Sequence, residues 1–295
     1  MPPDPVLTLS DLENWPPETT ALAVLGHPIG HSLSPQMHNA ALAALAATDP
    51  RFASWSYFRF DVRPEEFPQA LGLLHEQRFR GINLTVPHKV IAFGLVGPID
   101  PAALPVGAVN TLLWTPAGWR GFNTDGYGLA SALRETLGRD LAGSRVAILG
   151  AGGAARGAAV ECLARGCAGL WIVNRTKANL DALLAVLRPI AGTVPVTGGP
   201  PDSEGYILVN ATSSGLKPGD APPADLDALP RPACVYDMIY NPPVTPLLRK
   251  AGELGIPCAN GLSMLVHQGA KSLEIWTGRP ASETSRTMLA ALAKR

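Results

Sequence analysis

Short apolar runs alternate with helical periodicities along this chain. "ALAVLG" (21–26) is an apolar run of strand length, and "PQMHNAALAALAA" (35–47) follows it with Ala-rich helical character. Ser34 can cap that helix, with Pro35 at its first position. In "SWSYFRFDV" (54–62), Phe58, Phe60 and Val62 alternate as in a strand. "PEEFPQALGLLHEQR" (64–78) instead places Phe67, Ala70, Leu71 and Leu74 on one helical face. "GINLTVPHKV" (81–90) reads as a strand over 81–86 that Pro87 ends, with Lys89 delivered to its tip. A strand–helix–strand–helix–strand series predicts parallel pairing with helices on the sheet faces. "AVNTLLW" (108–114), a turn at Thr115–Gly118 and "WRGFNTDG" (119–126) predict a hairpin. A helix over about 126–138 follows, with Asp125 as its candidate cap.

A second alternating series starts at Arg145. "RVAILGAG" reads as a strand, "GGAARGAAVECLARG" as a helix, "GLWIVNR" as a strand and "KANLDALLAVLR" as a helix. "YILVNAT" (206–212), "ACVYDMIY" (233–240) and "IPCANG" (256–261) are further strands. The stretch 213–232 holds five prolines and is expected to be a lid-like or poorly ordered excursion. The Pro-rich residues 1–20 are expected to form a loose arm. The last 34 residues predict two helices, "LSMLVHQGAKSLEIW" and "SETSRTMLAALAKR". The pattern is α/β, and a chain of 295 residues suggests about two domains.

Composition narrows the class. Hydrophobic residues make up 46% and charged residues 16%, so the chain reads as globular rather than disordered. Zero net charge and a pI near 7 argue against a nucleic-acid footprint or a polybasic membrane patch. The first 20 residues lack a basic region followed by an apolar run, so no signal peptide is expected. No apolar segment approaches the roughly 20 residues that span a bilayer. Cys162, Cys167, Cys234 and Cys258 form no CxxC pair and read as reduced thiols of a cytoplasmic protein. The six histidines show no metal-ligand spacing, and no metal is expected.

"VAILGAGGAARG" carries Gly150, Gly152 and Ala155 as GxGxxA between an apolar strand and a helix, the context of a dinucleotide fingerprint. Gly150 permits the tight turn, and Gly152 lets the backbone approach a pyrophosphate. Ala155 allows close helix–strand packing, and the helix N-terminus offers N–H groups to phosphates. Ala151, Gly153 and Ala154 complete this turn. NAD sites place an acid at the end of the second strand, yet no acidic residue lies between Cys162 and Leu180. Asn174, Arg175, Thr176 and Lys177 stand there, and the two cations suit a 2′-phosphate, so NADP is the expected cofactor.

Polar residues gather in short clusters at strand ends and loops. These are "HSLSP" (Ser32, Ser34), "NLTVPHK" (Asn83, Thr85, Lys89), "AVNT" (Asn110), "NTD" (Asn123, Asp125) and "HQGA" (Gln268). Ligands of parallel α/β sheets bind beyond the carboxyl ends of strands, where Lys89 and Asn110 are expected. Each cluster also has a plain structural reading. Ser34 and Asp125 can be helix caps, Asn110 can satisfy a turn, and Gln268 can be an exposed helical residue.

Taken in order, "GHPIGHSLSPQMHNAA", "GINLTVPHK", "GAVNT", "GFNTDGYG", "LGAGGAARG", "NATSSG", "YDMIYNPPVTPLL" and "NGLSMLVHQGAKSLEIWTG" resemble the motifs of shikimate dehydrogenase from about residue 21 to 280. The resemblance implies two domains. An N-terminal α/β substrate domain with a mainly parallel sheet covers 1–125 and regains the terminal helices at 262–295. A Rossmann-type NADP domain covers 126–261. It also implies that Ser32, Ser34 and Tyr240 bind the shikimate carboxylate. Asn83, Thr85, Asn110, Asp125 and Gln268 would meet the ring hydroxyls. Lys89 and Asp125 would be the catalytic pair, with Lys89 as general acid–base. Thr212, Met238 and Gly261 join the cofactor contacts, with Met238 and Ile239 forming an apolar wall beside the nicotinamide. His27, His31 and His88 read as loop residues rather than catalysts.

The implied reaction is reversible NADPH-dependent reduction of 3-dehydroshikimate to shikimate, in aromatic amino acid biosynthesis. One departure is Asn179, where the family often carries a second arginine, which predicts a modest preference for NADP. The alternatives are a quinate/shikimate dehydrogenase using NAD or NADP, a methylene-tetrahydrofolate-type dehydrogenase, and a non-catalytic NADP-binding regulator. Both serines and the Lys89/Asp125 pair rank these lower. The expected partner is a small-molecule substrate, with no nucleic acid and no membrane. The oligomeric state is left open, a homodimer included.

Overall fold

The computed structural model describes residues 5–16 and 19–293 and divides into two compact units, 1–124 with 268–295 and 125–267. One division falls at Thr124/Asp125, because Asp125 opens a helix and sides with it. The other falls between His267 and Gln268, inside a continuous helix rather than at its start.

In the first unit, α1 (Leu9–Glu13) precedes β1 (Thr20–Gly26), α2 (Ser34–Ala46), β2 (Trp55–Asp61), α3 (Phe67–Glu76), β3 (Gly81–Leu84) and α4 (His88–Phe93). The hairpin β4 (Thr111–Thr115) and β5 (Gly118–Phe122) follows, and α9 (Leu262–Thr277) and α10 (Ala281–Leu292) close the chain. The sheet order is β2-β1-β3-β4-β5. β1 pairs parallel with β2 and β3, and the two hairpin strands extend the sheet antiparallel. Phe67, Ala70, Leu71 and Leu74 of α3 are buried in a core with Leu25, Phe60 and Ile82, as the helical period requires. Gly81 allows Trp276 of α9 to lie directly on β3, because any Cβ there would collide with the indole. The Trp276 indole N–H donates to the Leu112 carbonyl at 2.9 Å.

The described part of the N-terminal segment is not a loose arm. Thr8 and Asp11 cap α1 reciprocally, and Leu7 forms a parallel bridge to Phe60. Leu12 is fully buried, and Trp15 stacks edge-on against Phe58 at 4.8 Å. Apolar anchors therefore outweigh the proline-rich composition. Residues 1–4, 17 and 18 of that segment, and 294 and 295 of the final predicted helix, lie outside the described residues.

The second unit contains α5 (Asp125–Leu137), β6 (Arg145–Leu149), α6 (Gly153–Ala164), β7 (Gly169–Val173), α7 (Lys177–Leu187), β8 (Val196–Gly198), β9 (Ile207–Asn210), β10 (Cys234–Asp237), α8 (Pro246–Glu253) and β11 (Cys258–Asn260). All strands run parallel in the order β11-β10-β9-β6-β7-β8, so the order reverses beside β6. That reversal is the switch point at which open parallel sheets hold ligands. The segment 213–232 is well tied rather than loose. The Asp220 carboxylate accepts from the Gly215 and Lys217 N–H groups at 3.0 Å each, and Leu226 is buried in the unit's core.

Candidate functional site

A saturated polar knot forms where β3, β4 and α9 meet in the first unit. The Asn83 side chain is 5% exposed, and the two hydrogens of its Nδ2 are shared among the Asn110 carbonyl (3.1 Å), Thr111 Oγ1 (3.1 Å) and Ser272 Oγ (2.9 Å). Its Oδ1 accepts from the Tyr57 hydroxyl at 2.8 Å, which leaves one lone-pair direction. Asn110 is 1% exposed and donates to Thr124 Oγ1 (3.0 Å) and Gln268 Oε1 (3.2 Å). Its Oδ1 accepts from the Thr124 N–H (2.8 Å) and from Thr111 Oγ1 (3.0 Å). Thr111 and Ser272 hydroxyls meet at 2.7 Å, and Ser272 Oγ reaches the Gln268 carbonyl one turn earlier at 3.0 Å. An alternating strand could not bury so many polar groups unless each found a partner, and here they partner one another.

The two serines stand at the entry to α2. Ser34 is the first helical residue and Leu33 the cap position, so Ser34 is not the capping residue. Ser32 Oγ instead accepts from the Ser34 N–H at 3.3 Å. The loop is held from β2, whose buried Arg59 donates to the Gly30 carbonyl at 2.7 Å and the Ser32 carbonyl at 3.4 Å. Gly26 at the tip of β1 has no room for a Cβ, because the Thr85 methyl and Ile29 occupy the space. Thr85 N–H donates to the Leu25 carbonyl, so the stretch after β3 is pinned beside β1. Lys89 lies in the first turn of α4, half-buried, and its carbonyl accepts from Val109 N–H at 3.0 Å. The preceding His88 is fully buried, stacked on Phe67 at 4.3 Å, with Nε2 2.8 Å from the Val62 carbonyl. Burial pushes its pKa down, so it remains a neutral anchor for the turn that carries Lys89.

In the first unit hydrogen bonds join Asn83, Asn110 and Gln268 to one another, and Ser34 to Ser32. Ser32, Ser34, Thr85 and Lys89 lie on the segments that follow β1 and β3 in the same unit. Asp125 and Tyr240 belong to the second unit; Asp125 is the first residue of α5 and the chain neighbour of Thr124. Tyr57, Thr111, Thr124 and Ser272 were not read from the sequence as site residues. Three of them had a signal, since Thr111 and Thr124 follow Asn110 and Asn123 inside the quoted motifs, and Ser272 stands four residues after Gln268 on one helix face.

In the second unit the glycine turn follows β6. Gly150 has φ +112°, which favours glycine, and an added Cβ would meet the Ala211 carbonyl at 3.1 Å and the Thr212 methyl at 3.2 Å. Gly152, Gly153 and Ala154 are exposed, and a Cβ on either glycine would meet nothing within 4 Å. Ala155 is fully buried under β6, so α6 starts close to the sheet with its N-terminus open. This open cradle at a helix N-terminus fits a pyrophosphate. Asn174, at the end of β7, donates to the Thr176 carbonyl at 2.9 Å and shapes the turn that exposes Arg175. Lys177 Nζ lies 2.7 Å from Asp181 Oδ2, an exposed pair one helical turn apart.

Thr212 and Met238 are fixed by a buried pair. The Asn210 Oδ1 accepts from Thr212 N–H (3.0 Å) and Oγ1 (2.7 Å), while its Nδ2 donates to Asp237 Oδ1 at 2.9 Å. Asp237 is fully buried and also accepts from Ile239 N–H (3.0 Å) and Thr245 Oγ1 (2.6 Å). Burial pushes its carboxyl pKa up, and these three bonds oppose the rise. Gly261 closes this wall, since its backbone lies against the Met238 backbone where no Cβ could fit. Among the described residues no cluster of three or more His, Cys, Asp or Glu could hold a metal ion, and no helix is long and apolar enough to cross a membrane.

Known proteins resemble this chain over most of its length. Residues 24–112 match a family model described as the shikimate dehydrogenase substrate binding domain, and residues 261–292 match one for the shikimate 5'-dehydrogenase C-terminal domain. The chain is 40% identical over 288 residues to a shikimate dehydrogenase (NADP(+)) of Geobacter metallireducens, covering 94% of this chain and 98% of that one. Among solved structures, shikimate 5-dehydrogenase from Thermus thermophilus in complex with NADP(H) and shikimate is 33% identical with a TM-score of 0.79, covering 92% of this chain and all (100%) of that one. The ligand-free 5-ketofructose reductase of a Gluconobacter strain is similar too, at 31% identity and TM-score 0.79, covering 92% and 98%.

Proposed function

The chain belongs to the shikimate dehydrogenase family, and from that premise we propose that it catalyses the reversible NADPH-dependent reduction of 3-dehydroshikimate to shikimate, with Lys89 as its general acid–base. The observation that carries the reading is the buried knot around Asn83 and Asn110, in the same unit as Ser32, Ser34, Thr85 and Lys89. A ring bearing a carboxylate and several hydroxyls needs fixed donors and acceptors, and a mutually bonded network fixes where they sit.

In this reading the first unit holds substrate and the second holds NADP. Ser32 and Ser34, with Tyr240, bind the carboxylate. Thr85, Gln268, Asp125 and the remaining lone pair of Asn83 meet the ring hydroxyls, and Asn110 joins them by exchanging its 3.2 Å bond to Gln268 for one to the ring. NADPH, when bound, supplies the hydride to the ring carbonyl carbon. Lys89 then gives its proton to the carbonyl oxygen, and takes it back in the oxidation. Asp125 orients the Lys89 ammonium and supports its charge. Its place in the chain suits that task, because the preceding N–H, that of Thr124, is tied to Asn110.

The turn from Gly150 to Ala154 takes the pyrophosphate, and Asn174, Arg175, Thr176 and Lys177 take the adenosine 2′-phosphate. Thr212, Met238 and Gly261 hold the nicotinamide end. We place the enzyme in the cytoplasm, since its four cysteines are free thiols.

Initial rates for shikimate and quinate, each with NADP and with NAD, test the reading. Shikimate with NADP should give the highest kcat/KM. Quinate with NAD in first place would move the chain to the quinate branch, and NADP binding without turnover would make it a regulator. Lys89→Ala should lower kcat by roughly 100-fold or more. Activity within a few-fold of wild type would remove Lys89 from the acid–base role.

A further inference from the structure

β2 gives no residue to the proposed site, yet two side chains on one of its faces grip the loop that carries Ser32. Asp61 Oδ1 lies 2.6 Å from His27 Nδ1, and its Oδ2 accepts from the Ile29 N–H at 3.4 Å. Arg59, two residues earlier, is 8% exposed, and its Nη1 donates to two carbonyls of the same loop. The bond to the Gly30 carbonyl is 2.7 Å and the one to the Ser32 carbonyl 3.4 Å. Burying a guanidinium is costly, and an aliphatic side chain would fill a strand position without that cost. A buried arginine here therefore points to a task beyond packing.

The two carbonyls help decide where Ser32 points. A side chain's direction follows from φ and ψ, and these are set once the peptide planes on both sides of the residue are held. The plane before Ser32 is held by its own N–H, which donates to the Ile29 carbonyl at 3.0 Å. The plane after it is held by its carbonyl, with Arg59 as donor. The Ser34 N–H then donates to Ser32 Oγ at 3.3 Å, which selects a rotamer and ties the serine to the first turn of α2. Gly30 has wide backbone freedom and open space at its Cα, and the shorter Arg59 bond restrains it. We propose that Arg59 is a positioning residue for the substrate carboxylate: by holding the Gly30 and Ser32 carbonyls it sets the direction of the Ser32 hydroxyl before substrate arrives. This rests on the reading of Ser32 and Ser34 as carboxylate contacts. Arg59 acts through the loop.

Without that hold, ordering of the loop is deferred to the binding step and subtracts from affinity. The loss falls on the substrate complex and the transition state alike, so it belongs in KM for shikimate rather than in kcat. It also falls on one end of the substrate. The ring hydroxyls are assigned to the knot of β3, β4 and α9, which is fixed by its own bonds.

The test is Arg59→Met, which keeps an aliphatic stem and removes the donors. Arg80→Met is the control, because it removes a half-buried guanidinium of the same unit whose Nε donates to the Trp276 carbonyl at 3.2 Å. Wild-type turnover of shikimate with NADP is measured first. Its absence would fail the proposed function and is read separately from the variants. With wild type active, Arg59→Met should raise KM for shikimate by roughly tenfold, the loss expected for a hydrogen bond from a charged donor. It should leave kcat and KM for NADP within about twofold, and Arg80→Met should leave all three there. Ser32→Ala should raise KM for shikimate in wild type and by much less in the Arg59→Met background, because both changes act on one hydroxyl. Gln268→Ala should add its full effect in either background. Should Arg59→Met fail to fold, Arg59→Lys carries the same cycle, since it keeps the charge and a donor on a flexible stem. An unchanged KM for shikimate would overturn the inference, as would equal rises in KM for shikimate and NADP. So would an undiminished effect of Ser32→Ala in the arginine variant. Ser32→Ala without effect in wild type would overturn it together with the reading of Ser32 on which it rests. Failure of both Arg59 variants to fold while Arg80→Met folds would mark a merely structural role and overturn it too.

Discussion

Asn110→Ala is the sharpest perturbation of the knot. The side chain is 1% exposed, and its oxygen is the acceptor for the backbone N–H of Thr124, itself only 2% exposed. Thr111 and Thr124 hydroxyls keep Ser272 as a partner after truncation, at 2.7 and 3.2 Å. The Thr124 N–H keeps none of its bonds. One buried donor stranded costs about 1–3 kcal/mol, and the vacated amide volume adds about 1 kcal/mol, so the sum is roughly 2–4 kcal/mol. For a unit of this size that is a fall in melting temperature of roughly 5–15 °C, read by calorimetry so that the two units' transitions are resolved. Activity should fall more than stability suggests, because Thr124 is bonded directly to the peptide of Asp125. At a temperature where the variant is fully folded, kcat should drop at least about tenfold. A melting temperature within about 2 °C of wild type would show that the Thr124 N–H finds another acceptor. The account of a saturated knot would then be wrong. Unchanged kcat with the expected loss of stability would sever the proposed link from Asn110 to Asp125.

Three further outcomes follow from other parts of the fold. Asp181→Asn should lower KM for NADP by about two- to fivefold and leave KM for NAD alone, because it frees Lys177 from an exposed pair worth at most about 1 kcal/mol; an unchanged ratio would mean Lys177 does not meet the phosphate. Arg175→Ala should weaken NADP more than NAD, and equal weakening would misassign the corner. Asp237 has a folded-state pKa raised by burial, so it favours folding below its unfolded value and loses that contribution as pH rises through the folded one. Urea midpoints taken from just below the ordinary carboxylate range up to neutrality should therefore show a decline in wild type that Asp237→Asn flattens. An identical slope in the variant would mean that the buried carboxyl does not titrate with folding.

Much of this protein is legible along the chain because it depends on local rules. Strand and helix periods set both βα series, and the glycine turn announces itself because Gly150 must take a positive φ and Gly152 must leave space. The missing acid after β7 is equally local, since the residue that follows that strand end is fixed by sequence distance. α1 was not legible, because its few residues are held by Leu12 and Trp15 packing rather than by propensity. α4 escaped for the same reason: Pro87 marks the end of a strand, but nothing in six residues marks a helix whose anchor is a histidine stacked on Phe67.

The roles inside the site were the least legible. Ser34 reads as a cap and instead opens the helix, with its carbonyl bonded to His38 Nδ1 and its N–H to Ser32 Oγ. Asn83 and Ser272 are 189 residues apart in the chain and 2.9 Å apart in space. Periodicity determines which face a residue occupies, and composition determines what chemistry it can offer. Whether a buried amide is spent on a neighbour or kept for a ligand depends on partners that distant segments bring. Desolvation makes that pairing obligatory, and only the packed fold decides it.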